Sequence, residues 1–243
     1  MPAEESIAIW FALLVLGAYL LGSVPTSYIA ARLFRGIDLR KYGTGQVGGG
    51  NLWRMTSWKL GLPVGLFDSS KGLVMVLAAE MLGLNIAQQL LIGLGVIIGH
   101  NWPVFLRFSG GRGIGITMGV VFILPLINDM TPWASVAFFV ILIIGSLIMR
   151  SSPLAAFGGA ASLPLVNWWF HEPLSVILGF LAIFLVIVIR RLMAPRSADS
   201  DTVSKRQLLL NRLFFDRDIG DRIGWMYRKP IKPLKQEEQW EAD

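Results

Sequence analysis

The chain has 243 residues, of which 54% are hydrophobic and 16% charged, and its mean hydropathy is +0.59. A soluble domain carries roughly a quarter charged residues, so this composition indicates an integral membrane protein. The formal net charge is +6, but the basic residues avoid the apolar runs and form no single patch, which argues against nucleic-acid binding.

Residues that build metal and redox sites are scarce. The absence of cysteine excludes disulfides, thiol nucleophiles and thiolate metal sites. The two histidines, His100 and His171, fall on segments that we assign to opposite membrane faces. We therefore predict no metal site and no cofactor.

The apolar runs predict an all-α polytopic membrane protein with seven transmembrane helices. A spanning helix needs about 20 mostly apolar residues. The predicted helices cover residues 7–33, 61–80, 86–106, 113–128, 132–149, 153–170 and 173–192. We expect the first to be retained rather than cleaved, because acidic Glu4 and Glu5 precede it and it exceeds the length of a signal core. Pro25 is expected to kink it.

Loop charge predicts the orientation of these helices. Lys and Arg are absent from the N-terminal tail and from the loops after the second, fourth and sixth helices. The other loops and the C-terminal tail are basic. Basic loops stay in the cytoplasm, so we predict the N-terminus outside and the C-terminus inside.

Composition changes after the predicted membrane domain, residues 1–195. We predict a cytoplasmic amphipathic tail over 196–231 and a disordered end over 232–243. Apolar residues of the tail at helical spacing are Leu209, Leu210, Leu213 and Phe214. Basic residues on the remaining positions are Lys205, Arg206, Arg212 and Arg217. This pattern predicts an interfacial helix lying on anionic lipid.

Three polar segments lie on the predicted cytoplasmic side, and the first covers residues 43–54. It is rich in glycine, with Thr44, Gln46 and Asn51 as neutral hydrogen-bonding groups and Arg54 as a fixed cation. We favour a functional loop over a flexible linker, because the segment ends in Asn-x-x-Arg and follows membrane-buried backbone that must be satisfied.

The second polar segment places Asp68 and Lys71 in the second predicted helix. Residues three apart share a helix face and can pair. Ionisable groups at this depth cost at least about 2.5 kcal/mol each and are functional candidates by default. Two interpretations stay open: part of a functional site, or a self-neutralising pair that shapes the bundle.

The third polar segment runs from Gly99 to Gly115 and has four glycines among its last six residues. Bare glycine backbone can turn N–H groups toward an anion, and Arg112 adds a planar fork of donors. We interpret the segment as a phosphate-binding loop. Three roles stay open for His100: general base, phosphate donor or structural group.

Together these segments resemble the motifs of a known family. Residues 43–54 resemble its signature G-S-G-N-x-G-A-T-N-x-x-R, and residues 68–72 match its Asp-x-x-Lys-Gly. Residues 99–113 resemble Gly-His-x-x-Pro-x-Phe-x-x-Phe-x-Gly-Gly-Lys-Gly, with Arg112 in the lysine position and Ser109 where a further lysine is common. The chain is thus similar to the acyl-phosphate-dependent glycerol-3-phosphate acyltransferases of bacteria (the PlsY type), as a divergent member.

The third family signature, near the C-terminus, is altered. It is a His-x-x-Asn-Ile-x-Arg-Leu run that ends in Glu, and it aligns here on Arg212 and Leu213. Its His and Asn positions hold Arg206 and Leu209, and Asp218 stands at the Glu position.

The resemblance implies an enzyme of phospholipid biosynthesis in the bacterial inner membrane, with its active site facing the cytoplasm. Such enzymes transfer an acyl chain from acyl phosphate to the 1-hydroxyl of glycerol 3-phosphate and give lysophosphatidic acid. The partners it implies are these two substrates and membrane lipid. Nucleic acid and an obligate protein partner are not expected.

The resemblance implies three groups of site residues at the positions that match the family motifs. The expected catalytic residues are Thr44, Asn51 and His100. The expected phosphate-binding residues are Arg54, Lys71, Gly110, Gly111, Arg112 and Gly113. The expected supporting residues are Gly43, Gly45 and Asp68. The proton acceptor is either His100 or the substrate's own phosphate, and both stay open.

Two other functions compete with this one. The altered third signature also fits a non-catalytic or repurposed homologue that binds a phosphorylated lipid or acyl phosphate. A small transporter is the second alternative. Transporters of this kind show inverted pairs of interrupted helices, whereas the glycine-rich breaks here fall only on the predicted inner face.

Overall fold

The structure is a computed structural model that describes residues 2–194, 200 and 203–227. Every regular element within those residues is helical, which confirms the predicted all-α class. The helices are α1 (Pro2–Ser23), α2 (Thr26–Arg35), α3 (Gly49–Met55), α4 (Trp58–Met81), α5 (Ile86–Asn101), α6 (Ile114–Ile127), α7 (Trp133–Ile148), α8 (Ser152–Trp169), α9 (Leu174–Leu192), α10 (Lys205–Phe215) and α11 (Arg222–Met226). The end that we predict to be disordered, 232–243, lies outside the described residues, as does part of the predicted tail.

Each of the seven predicted apolar runs is helical, and four helical segments are long and apolar enough to cross a membrane. These four are Ile7–Arg35, Trp58–Met81, Ile86–Leu106 and Leu174–Leu192. Helices α6 and α7 are apolar but have only 14 and 16 residues. The chain is therefore a helical membrane protein. Seven crossings and their orientation remain predictions.

Pro25 interrupts the first predicted helix more completely than a kink would. Helix α1 ends at Ser23 and α2 begins at Thr26, with Pro25 in a non-helical conformation. The break frees the carbonyl of Val24, which accepts a hydrogen bond of 2.7 Å from Nζ of Lys71 on α4. A broken helix is tolerated in a membrane protein when the freed backbone groups find partners in this way.

Small residues let the central helices approach each other closely. A Cβ on Gly99 of α5 would lie 2.2 Å from the carbonyl oxygen of Tyr19 on α1. A Cβ on Gly119 of α6 would lie 1.9 Å from the carbonyl oxygen of Ser69 on α4. Helix association in membranes depends on such close packing, because lipid provides no hydrophobic driving force between helices. These contacts bring the polar ends of α4, α5 and α6 together.

Helix α10 packs on α8 and α9 through a face that differs from the predicted one. Leu208 and Arg212 are buried, whereas Leu209 and Leu210 are exposed. Arg212, which we expected on the polar face, donates from Nε to Asp218 at 2.7 Å and from Nη1 to the carbonyl of Leu192 at 3.0 Å. The prediction for Arg212 is therefore wrong, because helical spacing alone does not reveal a buried ion pair.

Candidate active site

A cavity of about 750 Å³ opens where the three polar segments meet the α7–α8 turn and the C-terminal segment. The predicted site residues that line it are Thr44, Asn51, Arg54, Asp68, His100, Gly111, Arg112 and Gly113. The predicted residues outside its wall are Gly43, Gly45, Lys71 and Gly110. The fold thus brings together segments that are separated by up to about 70 positions in sequence.

Asn51 organises the first glycine-rich loop. Its Nδ2 lies within hydrogen-bonding distance of the carbonyl oxygens of Leu39, Tyr42 and Gln46, at 3.3, 3.0 and 3.1 Å. Its Oδ1 accepts from the backbone N–H of Thr44 at 3.1 Å. The amide of Asn51 is therefore committed to the loop, and the side chain positions Thr44 on the cavity wall.

Gly43 and Gly45 support the same loop without lining the cavity. Both have positive φ angles, of 57° and 71°, which L side chains adopt rarely. A Cβ on Gly43 would also lie 2.4 Å from Oδ1 of Asn51. Glycine at position 43 is thus required both by the backbone conformation and by the approach of Asn51.

The Asp68–Lys71 pair is buried and fully engaged. Nζ of Lys71 donates to Oδ1 of Asp68 at 2.8 Å, to the hydroxyl of Thr26 at 3.1 Å and to the carbonyl of Val24. The Thr26 hydroxyl also contacts Asp68. An ammonium has three N–H donors, so none is left for a phosphate. This geometry favours the structural interpretation of Lys71, whereas Asp68 also reaches the cavity wall.

The second glycine loop packs directly on His100. The backbone N–H of Gly111 donates to the carbonyl of His100 at 3.1 Å. A Cβ on Gly110 would lie 2.0 Å from that carbonyl oxygen, and one on Gly111 would lie 2.2 Å from Nε2 of His100. Gly113 has a φ of 74° and caps the N-terminus of α6. Gly113 and the first residues of α6, Ile114 and Gly115, line the cavity. Free N–H groups at such a terminus suit an anion.

Arg190, in the last turn of α9, stabilises the second glycine loop. The residue is 5% exposed. Its Nε donates to the carbonyl of Gly111 at 3.0 Å and its Nη2 to the carbonyl of Gly110 at 2.9 Å. These bonds hold the carbonyls of Gly110 and Gly111 toward Arg190. A pair of arginines at the end of an apolar helix is typical of topology, so the sequence carried no signal for this role.

Arg191 fastens the C-terminal segment to the helical bundle. It is 1% exposed, and it donates to the carbonyl of Leu213 on α10 at 2.8 Å and to that of Pro153 on α8 at 2.6 Å. It also lines the cavity. Phe215 and Trp225 of the C-terminal segment line the cavity as well, so this segment contributes part of the wall.

The residues that the tail contributes differ from those expected at the altered signature. Arg206 and Leu209 are exposed and do not line the cavity. Asp216 does line it. Its Oδ1 accepts from Nε of Arg112 and its Oδ2 from Nε2 of Gln46, both at 2.7 Å. No sequence pattern pointed to Asp216, since only the fold brings it to Arg112 of the third polar segment and Gln46 of the first.

The lining of the cavity combines cationic and apolar side chains. Among the described residues, its arginines are Arg54, Arg112, Arg150, Arg191, Arg217 and Arg222, and its acids are Asp68 and Asp216. Burial lowers the pKa of Arg54, whose Nε has no hydrogen-bond partner among the described residues. The apolar lining includes Leu62, Leu66, Met118, Leu142 and Ala156. This arrangement suits a ligand that has an anionic head and an apolar chain.

A family model and individual relatives both match this chain under the same description. A family model described as glycerol-3-phosphate acyltransferase matches residues 12–195. A protein of Dehalococcoides mccartyi (strain CBDB1) named glycerol-3-phosphate acyltransferase 4 is 42% identical over 224 residues, which cover 90% of this chain and 94% of that protein. A glycerol-3-phosphate acyltransferase of Desulforudis audaxviator is 38% identical over 179 residues, covering 71% of this chain and 86% of the relative.

Solved structures of PlsY (YgiH), described as an integral membrane glycerol 3-phosphate acyltransferase, resemble the fold. Its glycerol 3-phosphate form is 29% identical with a TM-score of 0.68, and the match covers 84% of this chain and 94% of that chain. Its lysophosphatidic acid form is 30% identical with a TM-score of 0.65, and the match covers 74% of this chain and 87% of that chain.

The engagement of Lys71 leads to a stability prediction. Lys71→Met leaves the Asp68 carboxylate buried without its cation, so we expect the free energy of unfolding to fall by about 3–5 kcal/mol. Adding Asp68→Asn removes that uncompensated charge and should recover most of the loss. Reversible unfolding of the purified variants in detergent measures both effects. A Lys71→Met variant that keeps its stability but no longer binds inorganic phosphate would contradict the structural role.

Proposed function

Because the chain belongs to the glycerol-3-phosphate acyltransferase family, to which PlsY also belongs, we propose how its cavity carries out the family's reaction. The chain transfers an acyl group to glycerol 3-phosphate and forms lysophosphatidic acid. We propose acyl phosphate as the donor. The observation that supports this choice is one cavity whose lining combines arginines and glycine backbone with apolar side chains.

We propose that substrate phosphate binds beside Arg112 and Arg54. Arg112 and Arg54 supply charge, and the N-terminus of α6 supplies backbone N–H groups. Planar guanidinium donors match phosphate oxygens in pairs. Arg112 replaces a family lysine, so it can offer two parallel hydrogen bonds where an ammonium offers a point charge.

The apolar part of the lining is proposed to hold the acyl chain. It includes Leu62 and Leu66 of α4, Met118 of α6 and Leu142 of α7. Each buried methylene contributes about 0.8 kcal/mol relative to water. A long acyl chain thus gains binding energy along this wall while its phosphate or carbonyl end lies among the arginines.

Charge develops on the acyl carbonyl oxygen when the acceptor hydroxyl attacks, and preorganised donors there are worth about 3–4 kcal/mol each. We propose the hydroxyl of Thr44 and backbone N–H groups near Gly113 as those donors, because both line the cavity. Asn51 was expected among the donors as well. Its amide is engaged by the loop carbonyls, so we now propose that it acts by positioning Thr44.

His100 is the proposed proton acceptor for the attacking hydroxyl. Its ring lines the cavity, and it makes no side-chain hydrogen bond to any residue within the described ranges. The reaction then needs no acyl-enzyme: the hydroxyl oxygen bonds to the acyl carbon, its proton passes to His100, and inorganic phosphate leaves. A phosphate oxygen of the substrate is the competing acceptor.

We propose that the domain of residues 1–195 crosses the bacterial inner membrane seven times, with the cavity on the cytoplasmic side. The basic loops and the arginine-rich cavity support this orientation, because both lie where the positive-inside rule places Lys and Arg. Helices α6 and α7, with 14 and 16 residues, would then need flanking residues or local bilayer thinning to span.

Arg112→Ala tests the proposed phosphate site. We expect turnover of acyl phosphate and labelled glycerol 3-phosphate to lysophosphatidate to fall by about 10²–10³, because a fixed cation is lost from a preorganised site. Arg107→Ala is the matched control, since Arg107 lies in the same loop but is exposed and outside the cavity wall. Equal turnover of the Arg112→Ala variant and the native protein would remove Arg112 from the site. Absence of product from the native protein, with phosphate still bound, would favour a repurposed homologue.

His100→Gln separates the two proton acceptors. Glutamine keeps a polar side chain of similar reach but cannot take the proton, so we expect kcat to fall by about 10²–10⁴ with little change in KM. Steady-state kinetics of the purified variant measure this. A loss of less than about tenfold would assign the proton to the substrate phosphate instead.

The orientation can be tested by single-cysteine labelling, since the chain has no native cysteine. Asp129→Cys, in the exposed loop between α6 and α7, should react with a membrane-impermeant maleimide added to intact cells. Lys59→Cys, at the exposed start of α4, should react only after permeabilisation. Labelling of both positions from one side would contradict the proposed odd number of crossings between the two loops.

A further inference from the structure

We propose that Asp216 is a positioning residue that orients Arg112 for phosphate recognition. This inference rests on the proposed function, in which Arg112 binds substrate phosphate. The carboxylate holds one edge of the guanidinium and leaves the opposite edge for the ligand.

The hydrogen bonds of the carboxylate carry the argument. Arg112 donates to Asp216 through Nε, at 2.7 Å, and Gln46 donates to the second carboxylate oxygen at the same distance. A guanidinium has five N–H donors, of which one is on Nε and four are on the terminal nitrogens. The terminal nitrogens of Arg112 make no hydrogen bond to any residue in the described part of the chain. They are therefore available to a phosphate.

The backbone fixes the position of Asp216. The residue ends α10 in the left-handed conformation, with φ 52° and ψ 44°, and its N–H donates to the carbonyl of Arg212 at 3.1 Å. A non-glycine residue in this conformation persists only where surrounding structure holds it, and such residues cluster at functional sites. Here the surrounding bonds are those of Arg212 to Asp218 and of Arg191 to Leu213.

The opposite role, in which Asp216 competes with phosphate for Arg112, is less consistent with this geometry. A competing carboxylate would have to leave when substrate binds, yet Asp216 is 8% exposed and bonded through both oxygens. Phosphate also does not need the Nε edge, because the terminal nitrogens are unoccupied. Arginines outnumber acids in the described lining, so the cavity stays cationic with Asp216 in place.

The test measures inorganic phosphate binding by calorimetry on the purified full-length protein, together with KM for glycerol 3-phosphate. We expect Asp216→Ala to weaken phosphate binding and raise KM by about tenfold, the size of one charged hydrogen bond, with a smaller effect on kcat. Asp216→Asn keeps an oxygen for Nε of Arg112 and should stay within about threefold of the native affinity. Asp129→Ala is the control, because it removes one exposed acid that lies outside the cavity lining.

A double-mutant cycle separates positioning from a general structural effect. If Asp216 acts through Arg112, Asp216→Ala should not weaken phosphate binding further once Arg112→Ala is present. Tighter phosphate binding in Asp216→Ala would overturn the proposal in favour of competition. An undiminished effect in the Arg112→Ala background, or an Asp216→Asn variant as weak as Asp216→Ala, would also overturn it.

The coupling between Asp216 and Arg112 is measured on phosphate binding, so it does not depend on whether acyl transfer occurs. A protein that shows the coupling but forms no lysophosphatidate contradicts the proposed function alone. A protein that forms lysophosphatidate without the coupling contradicts only the role of Asp216.

Discussion

Buried cations that donate to backbone carbonyls hold this structure together. Lys71 bonds the carbonyl freed at the Pro25 break, Arg190 bonds two carbonyls of the second glycine loop, and Arg191 joins α8 to α10. An apolar bundle offers few other partners for irregular backbone, and each unsatisfied carbonyl is costly. The loops of the site keep their irregular backbone because these side chains complete its hydrogen bonding.

The basic residues differ in role according to whether their N–H donors are already hydrogen-bonded within the protein. Some, such as Lys71 and Arg190, donate to carbonyls or a buried acid and hold the backbone around the cavity. Others on the cavity wall, including Arg54 and Arg112, keep donors that have no partner among the described residues and can meet an anionic ligand. A count of basic residues in the sequence cannot make this distinction, because it depends on which carbonyls lie nearby.

The sequence supplied what depends on local composition and spacing. The apolar runs predicted the helical segments, and the clustered glycines predicted the two loops. The structure explains these glycines, because Asn51 and His100 approach the backbone there. The sequence could not supply the partners of Arg190 and Asp216, which lie about 80 and 104 positions away. The buried face of α10 was also missed, since Arg212 is compatible with the interior only when paired with Asp218.

The attachment of α10 to the end of the bundle has a consequence for the order of synthesis. Chains emerge from the ribosome N-terminus first, and their parts fold as they become available. Both glycine loops and the apolar lining residues of α4, α6, α7 and α8 precede residue 200, whereas the carboxylate that contacts Arg112 comes at residue 216. The nascent protein can therefore insert its helices while its phosphate-binding end is still incomplete, and the site matures only when the tail docks.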